Sequence, residues 1–580
     1  MAAMKNAEIA DAFEELGTLY ELDGAVVYRV LAYRNAAKAI REAGVSVAEL
    51  ARQGRAEELA GIGKTIAEKI VALMEEGEIP AAAKLKAKIP AGLVQVTRIP
   101  GLGPKRARLL HQELGVESLE DLRRVAEEQR IRTISGFGPK AEENILAALA
   151  AGADGTVKER VLLSVAFEVG LDLVEALREH PAAERVELAG SARRWADTCK
   201  DLDIVVATSE PEAVIEAFTA LPAIDEVSSS GSAGAKAVTH QGLAVDLRMV
   251  EGDRFGNLLQ HFTGSGRHNE ALRTAAVKQG LHVSEYGIAD DTSGETHLCA
   301  TEEQVYERLG MAYIEPELRE DRGELEAART DALPELVCLE DIRGDLHSHT
   351  VASDGHATVL EMARAAMERG YEYLAITDHS ASHGFGDHVT PDELKRQIER
   401  VAKANEELGK EFTVLAGSEV NILTDGSLDY ADELLAELDW IVASVHTSFR
   451  MSEEEMTARM VAAIEHPLVD AIGHPTGRML GRREPYGLDI DRVIEAAART
   501  GTFLEINANP NRRDLSDVHA RAAAEAGVTI VIDSDAHRTR TLELMRYGVA
   551  TARRAWLTSG QVANTRPWPE LDRLRKRGRA

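Results

Sequence analysis

From residue 344 onward the chain repeats one pattern seven times: a short apolar run, a polar loop and an amphipathic helical stretch. The runs fall at 344–347, 373–379, 413–419, 440–446, 469–474, 502–507 and 529–537. Apolar runs alternating with helices predict parallel strands buried on both faces, and seven such units with no strand-only section predict a closed βα barrel over 342–570. In six of the seven runs a His, Asp or Glu stands where the strand ends. Barrel enzymes build their sites on that face. His347, His349, Asp354, His379, Glu419, His446, His474, Asp535 and His537 make nine candidate ligands. Imidazole and carboxylate without cysteine suit a hydrolytic site of Zn²⁺, Mn²⁺ or iron, and so many groups imply a cluster of two or three ions. Such a cluster clamps the attacking and leaving oxygens of a phosphoester.

A second constellation lies upstream, after a stretch at 157–179 that reads as helical. An apolar run at 186–189 ends in Gly190 and Ser191, a short polar helical segment with Arg193 and Arg194 follows, and a β-type run at 201–206 carries Asp201 and Asp203. Residues two apart on a strand share a face, so these two carboxylates can serve one metal centre, with Asp246 of the run 243–250 as the third. Three carboxylates on adjacent strands are what two Mg²⁺ or Mn²⁺ ions need, the remaining ligands coming from substrate phosphates. Backbone N–H groups at the Gly-Ser turn and the forked donors of Arg193 and Arg194 predict a triphosphate beside them. The expected chemistry is nucleotidyl transfer.

Up to about residue 152 the pattern is helical, broken by three similar turns. They hold Gly61 and Gly63, then Pro100, Gly101, Gly103 and Lys105, then Ser135, Gly136 and Gly138 with Lys140. A tight turn exposing N–H groups at a helix start, next to Lys or Arg, grips a phosphate backbone without reading bases. Three of them predict helix-hairpin-helix binding to DNA.

Composition sets the limits on these readings. The chain has 580 residues, too many for one core, so several domains are expected. Its net charge of −30 excludes a protein coated in basic surface, so DNA must be met by local strips, backbone groups and metals. Three separated cysteines indicate a reducing compartment. With no signal peptide or membrane span in the pattern, a cytoplasmic, nucleoid-associated monomer is expected.

The motifs Gly-Ser-x-Arg-Arg, Asp-Leu-Asp, the third Asp and Phe-Thr-Gly-Ser at 262–265 occur in the order found in family X DNA polymerases, and the chain resembles that family from its start to about residue 316. Tyr33 with Lys69 resembles the amino-terminal lyase domain of polymerase beta, which implies a Schiff-base lysine at Lys69 and 5′-phosphate binding. The resemblance implies that Asp201, Asp203 and Asp246 bind the metals and that Ser191 and Arg194 contact nucleotide phosphates. Phe262, Gly264 and Ser265 would then form the wall against the sugar, with Asn269 and Arg273 near the nascent base pair. His261 replaces a tyrosine of vertebrate members, Lys200 a glycine, and Arg29 a lysine.

The barrel series His-x-His-Thr, Thr-Asp-His, Ser-Glu, Val-His, Gly-His-Pro and Asp-Ala-His resembles the PHP (polymerase and histidinol phosphatase) domain. It implies 3′→5′ exonuclease activity and, in some members, cleavage at abasic sites, with Asn507 and Asn509 orienting substrate. The expected fold is therefore multidomain, α+β and α/β. Its parts are a helical lyase-like domain (1–80), helix-hairpin-helix fingers (81–152), a nucleotidyltransferase palm (153–250) and a nucleotide-binding thumb (251–316). A solvated linker (317–341), the barrel (342–570) and a basic tail (571–580) follow, the tail carrying Arg573, Arg575, Lys576, Arg577 and Arg579 and expected either to touch DNA or to lie frayed in solvent. The substrates implied are gapped or primer-template DNA and dNTPs. The rival readings are a small-molecule phosphatase fused to a regulatory nucleotide-binding half, and a non-catalytic scaffold that binds DNA ends.

Overall fold

The computed structural model describes residues 4–576 except 98, 100, 135, 152–159 and 383–388. Pro100, Ser135, the start of the helix expected at 157–179, and Arg577 and Arg579 of the tail lie outside the described residues. The chain divides into two compact units, one of Met1–Val161, Val165–Glu187 and Lys200–Glu251, the other of Leu162–Ser164, Leu188–Cys199 and Gly252–Ala580.

In the first unit the three hairpins share one geometry. Gly61, Gly101 and Gly136 have φ of 89°, 84° and 90°, a region that glycine alone enters freely. Two residues on, Gly63 and Gly103 cap the helices Lys64–Glu76 and Pro104–Leu114, and Gly138 precedes Pro139–Ala151. The residue between each glycine pair is buried, with Ile62 at 3%, Leu102 at 0% and Phe137 at 5% exposure. Burying each such side chain contributes about 1.5–3 kcal/mol, which holds the turn down while the glycines stay at the surface. Arg106 ties two hairpins together, donating to Gly101 O at 3.0 Å and Gly136 O at 3.3 Å.

The same unit holds a five-stranded sheet of β1 (Arg185–Leu188), β2 (Asp201–Ala207), β3 (Ile224–Gly231), β4 (Gly234–Thr239) and β5 (Ala244–Val250), in the order β1-β2-β5-β4-β3. β2 and β5 are parallel, and β4 is antiparallel to both its neighbours. Leu202, Ile204, Val245 and Leu247 are buried on one face. The alternation leaves Asp201, Asp203 and Asp246 on the other, half-buried.

The second unit contains a three-stranded antiparallel sheet, β6 (Leu281–Ser284), β7 (Gly287–Asp290) and β8 (Thr296–His297), with the helices Phe255–Thr263 and Gly266–Val277. The barrel follows: β9 (Gly344–Asp345), β10 (Tyr373–Ile376), β11 (Thr413–Asn421), β12 (Trp440–Ser444), β13 (Ala471–Ile472), β14 (Phe503–Asn507) and β15 (Ile530–Asp533). These seven strands are parallel to their neighbours and run in chain order. A single parallel bridge between Ser348 and Ala536 brings the first and last together, so the barrel is nearly closed. Leu346, Tyr373, Leu415, Trp440, Phe503 and Leu571 fill its floor, with the Trp440 and Phe503 rings stacked at 5.8 Å.

Three expectations need correction. The helix expected from 157 to 179 is Leu163–Arg178, preceded by the short strand Val161–Leu162. The stretch 317–341 is not a solvated connector, because Arg319 and Glu324 are 0% exposed. Arg319 donates to Glu302 at 2.5 Å and Ile314 O at 2.9 Å, with its guanidinium 5.2 Å from Tyr306 and 5.4 Å from Tyr313. Charge-rich composition misled here because it hides which charges pair. The tail is also not free as far as it is described: Leu571 belongs to the barrel floor, and Lys576 Nζ donates to Ile464 O at 2.6 Å and His466 O at 3.0 Å.

Glu302 also pairs with Arg193 at 2.6 Å, so one buried carboxylate answers the charge of two guanidiniums, that of Arg319 fully buried. Replacing it leaves both charges without their carboxylate. Glu302→Ala should lose about 3–5 kcal/mol of stability, read as a fall in the denaturant midpoint of unfolding.

Candidate metal centre and nucleotide site

The barrel ligands converge. Glu419, at the end of β11 and 1% exposed, is the hub: its carboxylate lies 2.8 Å from His379 Nδ1, 3.0 Å from His446 Nε2 and 2.9 Å from His474 Nε2. His347 Nε2 and His349 Nε2 stand 3.3 Å and 3.6 Å from the same group. Asp535 forms a second focus, 3.2 Å from His349 Nε2 and 3.7 Å from His537 Nδ1. Asp354 forms a third, 3.2 Å from His537 Nε2 and 3.6 Å from His379 Nε2. Every one of the nine expected ligands therefore falls into one cluster.

The donors fit cations. Three sets, His349 with Asp354, His379 and His537, then His347 with His349 and Asp535, then His379 with Glu419 and His446, each place their ligand atoms within 4.8 Å of one another. Both ring nitrogens of His349 and Nε2 of His347 are buried without a hydrogen bond. Burial, with the neighbouring charges of His537 and His379, pushes the His349 imidazole down to about 3. Burial and Arg512 push His474 down to about 4. Both rings are neutral near pH 7, the state that ligates. Burial works against charge on Glu419 and Asp535, yet the surrounding histidines hold both carboxyls well below their usual range.

Below this layer lie carboxylates that sequence reasoning missed. Glu505 accepts from His347 Nδ1 at 2.6 Å, fixing which ring nitrogen of His347 faces the cluster. Asp345 accepts from the backbone N–H of Ser534 at 3.2 Å, and Asp533 from that of Leu346 at 2.8 Å, joining the first and last strands. Asp378 accepts from Thr350 N–H, Thr350 Oγ1 and Ser353 Oγ, each at 2.7 Å, which steadies the loop bearing Asp354. The signal was present: Asp345, Asp533 and Glu505 each stand two residues before His347, Asp535 or Asn507, on the same face of a strand. Asn507 donates to Asp535 at 3.1 Å and Asn509 is bound to Asn511, so both organise the site itself.

In the first unit, Asp203 and Asp246 are direct register partners across parallel strands, with Asp201 two residues away on the same face. Arg248 Nε pairs with Asp246 at 2.8 Å and Lys236 Nζ lies 3.4 Å from it. Among the described residues, the groups of three or more ligand atoms within 4.8 Å of one another all lie in the barrel. Lys69 is half-buried on the helix that the first hairpin opens. Tyr33 is 8% exposed and stacks on Tyr20 at 5.3 Å. Lys105 starts the helix after the second hairpin.

In the second unit, Gly190 and Ser191 open the four-residue helix Gly190–Arg193. Its arginines turn onto protein: Arg193 donates to Thr263 Oγ1 at 2.7 Å, and Arg194 donates to Thr263 O and pairs with Glu320 at 3.1 Å. Phe262 and Gly264 flank that threonine, and Ser265 Oγ caps the helix Gly266–Val277 by accepting from His268 N–H at 3.3 Å. Asn269 is held by Gln260 and by His261 O, at 2.9 Å and 2.7 Å, whereas Arg273 is exposed.

Comparison with known proteins agrees with this architecture. The model of a helix-hairpin-helix domain matches residues 4–79, and that of a SAM-like helix-hairpin-helix tandem matches 94–151. The DNA polymerase beta thumb matches 258–320 and the PHP domain 345–509. Together with the two sites, these define a polymerase-type chain carrying a PHP barrel. Along 576 residues, 99% of this chain and 100% of the relative, it is 38% identical to the DNA polymerase/3′-5′ exonuclease PolX of Bacillus subtilis (strain 168). The chain belongs to the family X DNA polymerases that bear a PHP domain. A probable phosphatase of Caldanaerobacter subterraneus subsp. tengcongensis is 37% identical over 206 residues, 33% of this chain and 75% of the relative. One from Thermoanaerobacter sp. (strain X514) is 34% identical over 234 residues, 38% of this chain and 89% of the relative.

Two outcomes follow from these environments. Burial alone would push the Glu320 carboxyl up, but Arg554 and Arg194 outweigh it and hold it below its ordinary value. A depressed carboxyl adds stability above its unfolded value, about 4.3, and that stability is lost as pH falls through the folded value. Glu320→Gln should therefore flatten the acid side of the stability profile below about pH 5 and lower the plateau above it, in a denaturant midpoint series. Stripping divalent ions with a chelator should lower the melting temperature, and Zn²⁺ or Mn²⁺ should restore it, because ions that bind only the folded barrel stabilise it.

Proposed function

We propose that this chain fills short gaps in DNA during repair, adding dNTPs at one site and removing 3′-terminal nucleotides at the other. The observation that carries the reading is the register match of Asp203 with Asp246, with Asp201 alongside, in a chain whose barrel separately gathers nine ligand groups. Whole-length similarity to a protein named as polymerase and 3′-5′ exonuclease supports it, whereas the phosphatase relatives span only about a third of the chain. That coverage favours DNA over a small phosphomonoester as substrate.

The roles divide as follows. Asp201, Asp203 and Asp246 would hold Mg²⁺ or Mn²⁺, whose charge would serve to bring a primer hydroxyl and an α-phosphate into line. Gly190, Ser191 and Arg194 meet the nucleotide phosphates, Phe262, Gly264 and Ser265 pack against the sugar, and Asn269 and Arg273 lie by the nascent pair. The glycine hairpins, with Lys105, Tyr33 and Lys69, hold the DNA backbone and the 5′-phosphate of the gap. Two or three Zn²⁺, Mn²⁺ or iron ions bound by the barrel histidines and carboxylates would act as Lewis acids on a phosphodiester. Glu505 fixes the His347 ring for that task. Cleavage at abasic sites is a further activity of the same barrel.

The test supplies a gapped duplex, dNTPs and Mg²⁺ or Mn²⁺ to wild type, Asp203→Ala and His349→Ala. Asp203→Ala should abolish extension and spare nucleolysis, and His349→Ala should do the reverse, with labelled-primer product sizes as the readout. Equal loss of both activities in both variants would overturn the assignment.

A further inference from the structure

Two consecutive arginines after β14 are used in opposite ways. Arg513 is 0% exposed, its Nε donates to Thr551 Oγ1 at 2.9 Å, and its Nη1 donates to Trp195 O at 2.8 Å and pairs with Asp197 at 3.1 Å. It is a structural clamp. Arg512 faces the metal-ligand cluster with its side chain 19% exposed, and Asp535, at 3.9 Å from its Nε, is its one carboxylate within 4 Å among the described residues. No acceptor among them takes a hydrogen bond from its guanidinium.

The loop that carries Arg512 is built to hold it there. Asn509 N–H donates to Asn507 Oδ1 at 3.1 Å, Asn509 Oδ1 accepts from Asn511 N–H at 3.1 Å, and Arg512 N–H donates to Asn509 O at 2.7 Å. Leu480 N–H donates to Asn511 O at 2.7 Å, tying this loop to the one that follows His474. That second loop brings Arg483, whose guanidinium lies 4.3 Å from the Phe449 ring and whose Nε donates to Gly477 O at 2.9 Å. Arg483 has no carboxylate within 4 Å among the described residues. Two guanidiniums on loops tied to one another, one of them beside a ligand of the cluster whose carboxylate is already bonded to Asn507, make a seat for an anion.

The geometry points to Arg512, backed by Arg483, as the group that binds a phosphate of the DNA 3′ end beside the barrel cluster. The inference rests on the nuclease reading of that site. A guanidinium presents paired N–H donors that match two phosphate oxygens, which a point charge does not.

The experiment uses the full-length Mn²⁺-loaded protein and inorganic phosphate as the probe. Phosphate binding is measured by calorimetry, and as inhibition of nucleolysis on a 3′-labelled primer, for wild type, Arg512→Ala, Arg512→Lys and Arg513→Ala. Arg512→Ala should weaken phosphate binding about tenfold or more, roughly 1.4 kcal/mol, and lower kcat/KM with bound metal and melting temperature unchanged. Arg512→Lys should recover part of the affinity, and Arg513→Ala should lower the melting temperature instead. Phosphate affinity in Arg512→Ala equal to wild type, no phosphate binding by wild type, or loss of bound metal in Arg512→Ala overturns the inference. Phosphate held through Arg512 by a wild type that degrades no DNA would sustain the subsite and sink the nuclease reading.

Discussion

A carboxylate cannot be placed in a protein interior without something to answer its charge, and Glu419 sits 1% exposed among five imidazoles. That requirement organises the second unit. Four separate strand ends must deliver five histidines to one point, so the strands must be parallel, in chain order and closed to within one bridge. The floor of Tyr373, Trp440, Phe503 and Leu571 supplies the apolar burial that offsets the cost of assembling so many polar groups above it. Acids one layer down then hold part of this set, Glu505 at His347 and His474 and Asp378 at the loop of Asp354.

Those partners are acids whose own position is unfavourable. Burial pushes the Asp345 carboxyl up to about 6 and raises Glu505 and Asp533 as well. They persist because backbone and side-chain donors meet them: Ser534 and His347 at Asp345, Leu346 at Asp533, His474 at Glu505. The second unit contains a similar arrangement around Arg319 and Glu302, where buried charges pair across the segment expected to be a linker. In both places the polar interior sets a unique arrangement of elements more than it adds net stability.

The sequence disclosed most of the site, for identifiable reasons. A ligand at the end of a strand repeats with the strand, so the nine barrel groups could be read from spacing, and so could the shared face of Asp201 and Asp203. What stayed hidden was pairing between distant residues. Nothing in the chain near Arg319 marks it as buried against Glu302, and nothing near Arg193 and Arg194 shows that both guanidiniums turn toward Thr263. Asp345, Asp533 and Glu505 were legible in principle, since each sits at the two-residue offset that shares a strand face. They were missed because the ligands themselves already accounted for the pattern.

The match to the PHP domain stops at residue 509, but the closing strand β15, Asp535, His537 and the Leu571 stopper all come later. A fragment excised at the boundary of that match would be an open trough lacking one wall and two of its ligands, with a greasy inner surface laid bare. Whoever wishes to study the barrel by itself must carry the chain through Lys576, whose ammonium fastens the last turn to the carbonyls of Ile464 and His466.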